Sequence, residues 1–314
     1  VSVDTVATTP AAPPGRPPLP PSSRRRRFPR SREERIWGSL RVIAIVVLAL
    51  STIVPFLYML VLSVRPIAEV LLEPGRLWVS PSEFTTDTYR EVLTSVDDGG
   101  QGFLGYMGNS LLVASVTVIV TLVASILGAY AVSRLAFRGR GASGYLFLIV
   151  YLFPPILLAI PLFVLFSQLS LRGNLLALAV VYVAQTVPVA IYMLRNYFAT
   201  IPVSLEEAAL IDGCTRFGVI RRISLPLSMP SLIATGLYVF MIAWNEFLFA
   251  LLFLVERRDN WTVSLGLSRL SGSIEVPTTV LMAGSVVLTV PIIALFFLAE
   301  RMLVEGLTSG AEKG

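Results

Sequence analysis

The chain has 314 residues, 55% of them hydrophobic and only 14% charged, with a mean hydropathy of +0.76. A soluble domain carries about 25% charged residues, so the composition excludes an ordinary soluble globule and points to an integral membrane protein. With no His, one Cys (Cys214) and one Lys (Lys313), histidine-based triads, Cys/His zinc sites and internal disulfides are excluded as well.

The net charge of +5 belongs to the N-terminal tail. Residues 1–41 hold nine Arg and three acids, a balance of +6, and the remainder stands at −1. The Pro-rich stretch 10–21, followed by Arg24 to Arg27, reads as a disordered arm. We read it as a positive-inside anchor lying on anionic lipid, and no nucleic-acid partner is expected.

Stretches free of charge cover 42–64, 99–133, 141–171, 173–194, 223–245 and 276–299, each at least 22 residues long. About 20 apolar residues cross a hydrocarbon core of about 30 Å. The pattern predicts an all-α membrane protein with six spanning helices, over 42–64, 109–133, 143–167, 175–197, 229–254 and 277–300. The first run is too long for a signal-peptide core and is expected to be retained. The Gly-rich stretch 99–108 reads as loop. The short alternating segments of a β-barrel are absent.

Prolines fall inside the runs at Pro55, Pro154, Pro155, Pro161, Pro188 and Pro291. The cluster at 154–161 reads either as a broken helix lining a cavity or as a packing kink. Polar groups within the spans are few. Gln185 and Asn109 suit helix–helix hydrogen bonds, and Gln185 is also a candidate for the substrate path. Trp244-Asn245-Glu246-Phe247 is the conspicuous exception. A fifth span starting near Ser231 would carry Glu246 roughly 22 Å along the helix, and an ionisable group at depth is costly unless paired or wetted. Trp244, Asn245 and Glu246 are therefore candidates for the substrate path or an inter-subunit contact, against the plainer reading of an interfacial belt.

Loop charges set the topology. The 134–140 loop has Arg134, Arg138 and Arg140 with no acid, whereas 65–107 has three Arg against seven acids. Short basic loops stay cytoplasmic, which puts both termini, the 134–140 loop and the 198–228 segment inside. That last segment is a polar insertion between two spans. Ser204 and Glu207 have the spacing of a capping box, and Gly213 suits a left-handed helix end. A phosphate loop needs a Lys after its glycines, and Lys313 is the penultimate residue. This chain therefore does not hydrolyse ATP by itself, and no cofactor or metal is expected in it.

Glu207-Ala208-Ala209, three residues, Gly213, nine residues, Ile223-Ser224-Leu225-Pro226 resembles, at every element, the EAA signature of the permease subunits of binding-protein-dependent ABC importers. Further stretches are similar to the carbohydrate branch, in the manner of the second membrane subunit of maltose-type importers. They include Gly128-Ala129-Tyr130-Ala131-Val132-Ser133-Arg134, Ile160-Pro161-Leu162-Phe163, Trp244-Asn245-Glu246-Phe247 and Gly306-Leu307-Thr308-Ser309-Gly310. The resemblance covers about 37–314, and it departs at Glu312, where the family commonly has Val.

The resemblance implies a type I importer permease in the cell membrane. It implies a coupling segment 202–226 in which Glu207, Ala208, Ala209, Gly213, Ile223, Leu225 and Pro226 meet an ATPase subunit. Its implied partners are a second permease, two ATPase subunits, an extracytoplasmic solute-binding protein and a sugar. The expected organisation is an arm 1–36, a permease domain 37–304 and a cytoplasmic tail 305–314. Two rival readings stay open on the residues alone: another cargo (a glycerol phosphate, an amino acid or an osmolyte), or an ion-driven secondary transporter.

Overall fold

Long runs without charge leave the backbone no partner in lipid but itself, and helix formation satisfies it within one segment. The computed structural model describes residues 32–76, 78–273 and 276–311, and no strand occurs among them. The predicted arm as far as residue 31, and residues 312–314, lie outside the described residues.

The first helix, α1 (Arg32–Ser63), carries no charge from Val42 onward. The chain divides within it, after Val54, into two units. The second unit continues with the short helices α2 (Ile67–Leu72) and α3 (Asp87–Leu93), then α4 (Phe103–Arg134), α5 (Arg140–Leu152), α6 (Ala159–Gln168) and α7 (Leu175–Phe198). After α8 (Val203–Ile211) and α9 (Arg216–Val219), a π-turn over Ile220–Ser224 leads into α10 (Leu225–Leu227) and α11 (Met229–Asn245). The chain closes with α12 (Leu248–Leu254), α13 (Val263–Ser271) and α14 (Thr278–Ala311).

Among the described residues, four helices are long and apolar enough to cross a membrane: Ile36–Ser63, Phe103–Arg134, Leu175–Phe198 and Thr278–Met302. Two bent pairs raise the number to six if each is one span: Arg140–Leu152 with Pro155–Gln168, bent by 80°, and Arg216–Leu227 with Met229–Asn245, bent by 81°.

Three boundaries differ from the sequence expectation. The second span begins at Phe103, not 109, because Gly102 (φ 77°) starts the helix and the buried rings of Phe103 and Tyr106 anchor its first turns. That burial outweighs the propensity cost of Gly105 and Gly108, about 1 kcal/mol each. The expected third span, 143–167, is broken, and the break is where Pro154 and Pro155 fall; of the two readings of that cluster, the broken helix is the one observed. The expected fifth span, 229–254, is not one helix: α11 ends at Asn245 and α12 starts at Leu248.

The second unit is organised around α4 and α7. Ala114, Thr117, Thr121, Ser125 and Ala129 recur every three or four residues on α4 and are all buried. Small side chains let two backbones approach closely. Thr121 and Thr186 share a hydrogen bond of 2.8 Å across the seam, and a side chain at Gly128 would press on Ile191. α11, α12 and α13 add a core in which Trp244 stacks on Phe240 and Phe166 stacks on Phe253.

Candidate coupling site

The polar insertion folds as α8. Its first residues differ from the sequence expectation: Pro202 is the N-cap, Ser204 already lies inside the helix, and no side chain caps that end. The capping box is therefore not formed. A proline just ahead of the first turn fixes its φ without sacrificing an intrahelical bond, so the helix starts earlier than the Ser–Glu spacing suggested.

The other end is as expected. Gly213 has φ 85°, its N–H reaches the Leu210 carbonyl at 3.1 Å, and the Cys214 N–H reaches the Ala209 carbonyl at 2.9 Å. This pair of bonds is a Schellman ending, which needs a left-handed residue at that position. Thr215 then accepts from the Gly218 N–H at 3.1 Å and starts α9.

Around the helix axis, α8 has two characters. Ser204, Glu207, Ala208 and Ile211 lie at spacings of three and four and are all exposed, Ile211 at 86%. Glu206 and Ala209 face inward, and Glu206 is only 5% exposed. Its carboxylate accepts from Arg134 Nε at 3.0 Å, Ser224 Oγ at 3.2 Å and Tyr130 Oη at 3.3 Å. Arg134 also donates through Nη2 to the carbonyls of Phe198 (2.7 Å) and Ile201 (2.8 Å), at the end of α7. A cation there suits the negative end of the helix dipole. Sequence reasoning missed Glu206. Nothing in the spacing named Arg134, and Ala209, read from the resemblance as facing the ATPase, is buried beside Glu206.

Of the remaining signature residues, Ile223 and Leu225 are partly buried and Pro226 is exposed. The π-turn, which contains Ile223 and ends before Leu225, is closed by the Leu225 N–H on the Ile220 carbonyl, a local feature that recurs at functional sites.

The second group of candidates lies far along the chain, at the junction of α11 and α12. Glu246 sits in the break with extended backbone. Its carboxylate accepts from Tyr182 Oη at 2.6 Å and from the N–H groups of Phe249 (3.0 Å) and Ala250 (3.3 Å), so it caps α12. Its own carbonyl accepts from Ser264 Oγ at 2.6 Å. Trp244 is fully buried and donates to the Leu288 carbonyl, which sets it in the core and not in an interfacial belt. Asn245 is exposed and turns back to the Met241 carbonyl. Gln185 lines a cavity of about 570 Å³ with Tyr151, Phe153, Pro155, Leu162 and Phe166, and its Nε2 has no hydrogen-bond partner. Asn109 ties α4 to the carbonyls of Asp259 and Trp261.

The loop after α1 is held by arginines. Arg65 is fully buried and donates to the carbonyls of Glu69, Glu73 and Arg76. Arg76 pairs with Glu73 and Glu83. The hydrogen bond from Arg76 holds the Glu83 carboxyl below the usual carboxylate range, and the same bond raises the guanidinium.

Residues 120–305, more than half of the chain, match the family of binding-protein-dependent transport system inner membrane components. The chain belongs to that family. It is 39% identical over 264 residues to the inner membrane ABC transporter permease protein YcjP of Escherichia coli (strain K12), covering 84% of this chain and 92% of that one. It is 37% identical over 284 residues to the trehalose/maltose transport system permease protein MalG of Thermococcus litoralis, covering 90% and 99%. A solved bacterial ABC transporter that imports the acidic polysaccharide alginate shares the fold, with a TM-score of 0.73 over 87% of this chain and 98% of that one at 23% identity. The chain is thus a multi-pass membrane protein with the architecture of an ABC importer permease.

Proposed function

We propose that this chain is one of two permease subunits of an ATP-driven importer for a sugar or oligosaccharide, and that α8 is its coupling helix. The observation that carries the proposal is the two-sided character of α8. One face, with Glu207, Ala208 and Ile211, is free of partners within the described residues and follows the EAA spacing. Ala208 permits close approach of another helix or groove, Glu207 offers a charge to a basic group, and Gly213 turns the chain sharply away. The opposite face is fastened to the protein's own spans.

In this reading the chain makes and breaks no covalent bond. Two ATPase subunits bind ATP and Mg and close on each other; their movement shifts α8, and the spans tilt between inward- and outward-open arrangements. A solute-binding protein delivers the sugar to the opposite side. Both termini, the 134–140 loop and the 202–226 segment are cytoplasmic. Residues 1–36 form an arm, 37–304 the permease domain and 305–314 the tail, with Gln185, Trp244, Asn245 and Glu246 as candidates along the path or at the joint between permeases. The sugar cargo is supported by the relatives, which include the trehalose/maltose permease and a diacetylchitobiose uptake permease of Streptomyces coelicolor.

The test is chemical crosslinking from Ala208→Cys in a Cys214→Ser background, with the neighbouring-gene ATPase co-expressed. A crosslink to the ATPase, together with uptake of labelled trehalose or maltose, is expected. Labelling of the same cysteine from outside intact cells would overturn the topology and the coupling role.

A further inference from the structure

We propose that the Glu206–Arg134 ion pair is the joint through which movement of α8 enters α4 and α7, so that Glu206 and Arg134 are positioning residues for translocation. The inference rests on the coupling role of α8 proposed above and extends it to residues outside the EAA signature.

The argument begins with what α8 offers its own protein. Of its side chains only Glu206 and Ala209 are buried. Ala209 supplies a non-directional contact, which allows sliding. Glu206 supplies the polar attachment, and its three donors come from two places: Tyr130 and Arg134 in the last two turns of α4, and Ser224 in the π-turn that leads toward α11. Arg134 completes the junction by holding the last carbonyls of α7. One carboxylate and one guanidinium therefore bring together the ends of α4 and α7, the start of α8 and the turn before α11.

Two physical points make this a joint and not simply a packed contact. Charge-assisted hydrogen bonds are directional and strong, and more so where water is scarce; the two side chains are 9% and 6% exposed. Next, the two helices that Arg134 joins, α4 and α7, are packed tightly to each other along the seam of small residues. A displacement of α8 reaches a pair of helices that move as one body. The turn at 199–202 that enters α8 is held by the same guanidinium, through the Ile201 carbonyl.

The experiment measures whether α8 and α4 keep their spacing. In a Cys214→Ser background, spin labels go on Leu205→Cys, exposed on α8 to one side of the Glu207–Ala208–Ile211 face, and Leu127→Cys, exposed on α4. The complete transporter is purified through this chain with its ATPase subunits, and pulsed EPR distances are recorded without nucleotide and with ATP trapped by vanadate. With Glu206 intact, the distance is expected to stay the same in both states. With Glu206→Gln, it should broaden and shift with nucleotide, and uptake per ATP hydrolysed should fall at least tenfold, while the ATPase still co-purifies because the outward face is untouched. Glu206→Asp should recover part of the loss. A nucleotide-dependent shift in the protein with Glu206 intact, or an unchanged distance in Glu206→Gln, would overturn the joint. Should Glu206→Gln fold poorly, Tyr130→Phe and Ser224→Ala each remove one donor, and smaller changes of the same sign are required of them. Failure of the unaltered chain to co-purify any ATPase would refute the coupling role itself, and this inference with it.

Discussion

The Tyr182 hydroxyl donates to the Glu246 carboxylate at 2.6 Å, on the same oxygen that accepts the Ala250 N–H. One side chain thus ends α11, starts α12 and ties both to the middle of α7. The acid that stood out as an expensive charge within a span is fully hydrogen-bonded by its own chain.

Replacing Glu246 by Ala is expected to leave the Tyr182 hydroxyl and the first N–H groups of α12 without partners. Each buried group left unpaired costs about 1–3 kcal/mol. Tyr182→Phe removes one bond and should cost about 1 kcal/mol. The double substitution should fall short of the sum, because the two residues share one interaction. Thermal unfolding of the detergent-purified protein, read by tryptophan fluorescence, measures all three.

At Gly213, any side chain must adopt φ 85°, which costs a residue other than glycine about 1–2 kcal/mol. Space is not the obstacle, since a Cβ there meets no heavy atom within 4 Å. Gly213→Val should therefore leave the spans folded and weaken co-purification of the ATPase, with Gly213→Asn milder because Asn tolerates that region. Equal co-purification for all three would remove the requirement for a left-handed ending.

Gly266 faces the opposite case. A Cβ there would lie 2.6 Å from the ring of Tyr106, and that ring is buried with its hydroxyl held by Arg258 Nε at 2.9 Å. The ring has no free direction in which to move. Gly266→Ala should destabilise the contact of α13 with α4 by about 1–3 kcal/mol, the usual range for overpacking. Proteolysis of the 255–275 region, compared between the two proteins, reports it.

The loop between α1 and α3 should loosen in acid. Glu83 is held below the ordinary carboxylate range by Arg76, so its contribution is complete above the pKa of the unfolded chain, about 4.3. It is lost as pH falls through the lower folded value. Protection from hydrogen exchange across 73–83, taken relative to the intrinsic rate at each pH, should be steady at neutral pH and fall below about pH 4. Glu83→Gln should exchange faster at neutral pH and lose most of that dependence.

How far the sequence could be read follows from the range of each interaction. The left-handed ending at Gly213 and the break where Pro154 and Pro155 fall are local, and residue types at short spacing announce them. The ending of α11 is not local in that sense. Trp244-Asn245-Glu246-Phe247 contains neither Gly nor Pro, and the helix stops because a carboxylate, a buried indole and Tyr182 from another span fix that backbone together. The same holds for Glu206. Its partner Arg134 is 72 residues away, and loop charge alone assigned that arginine to orientation. The beginning of α8 was misread for a smaller reason: Pro202 and the Ser–Glu spacing gave competing start signals, and the proline prevailed.

Glu206 and Glu207 are adjacent, yet a helix turns about 100° between neighbours, so one carboxylate is sealed in and the other stands outside. Identity and phase are therefore separate constraints on this segment. An exchange of the outer acid alters what the surface presents. Removing one residue between Pro202 and Glu206 would instead bring Glu207 into the inward place beside Arg134 and move Glu206 out to the exposed place of Leu205. The segment should tolerate varied composition more readily than any change in its length.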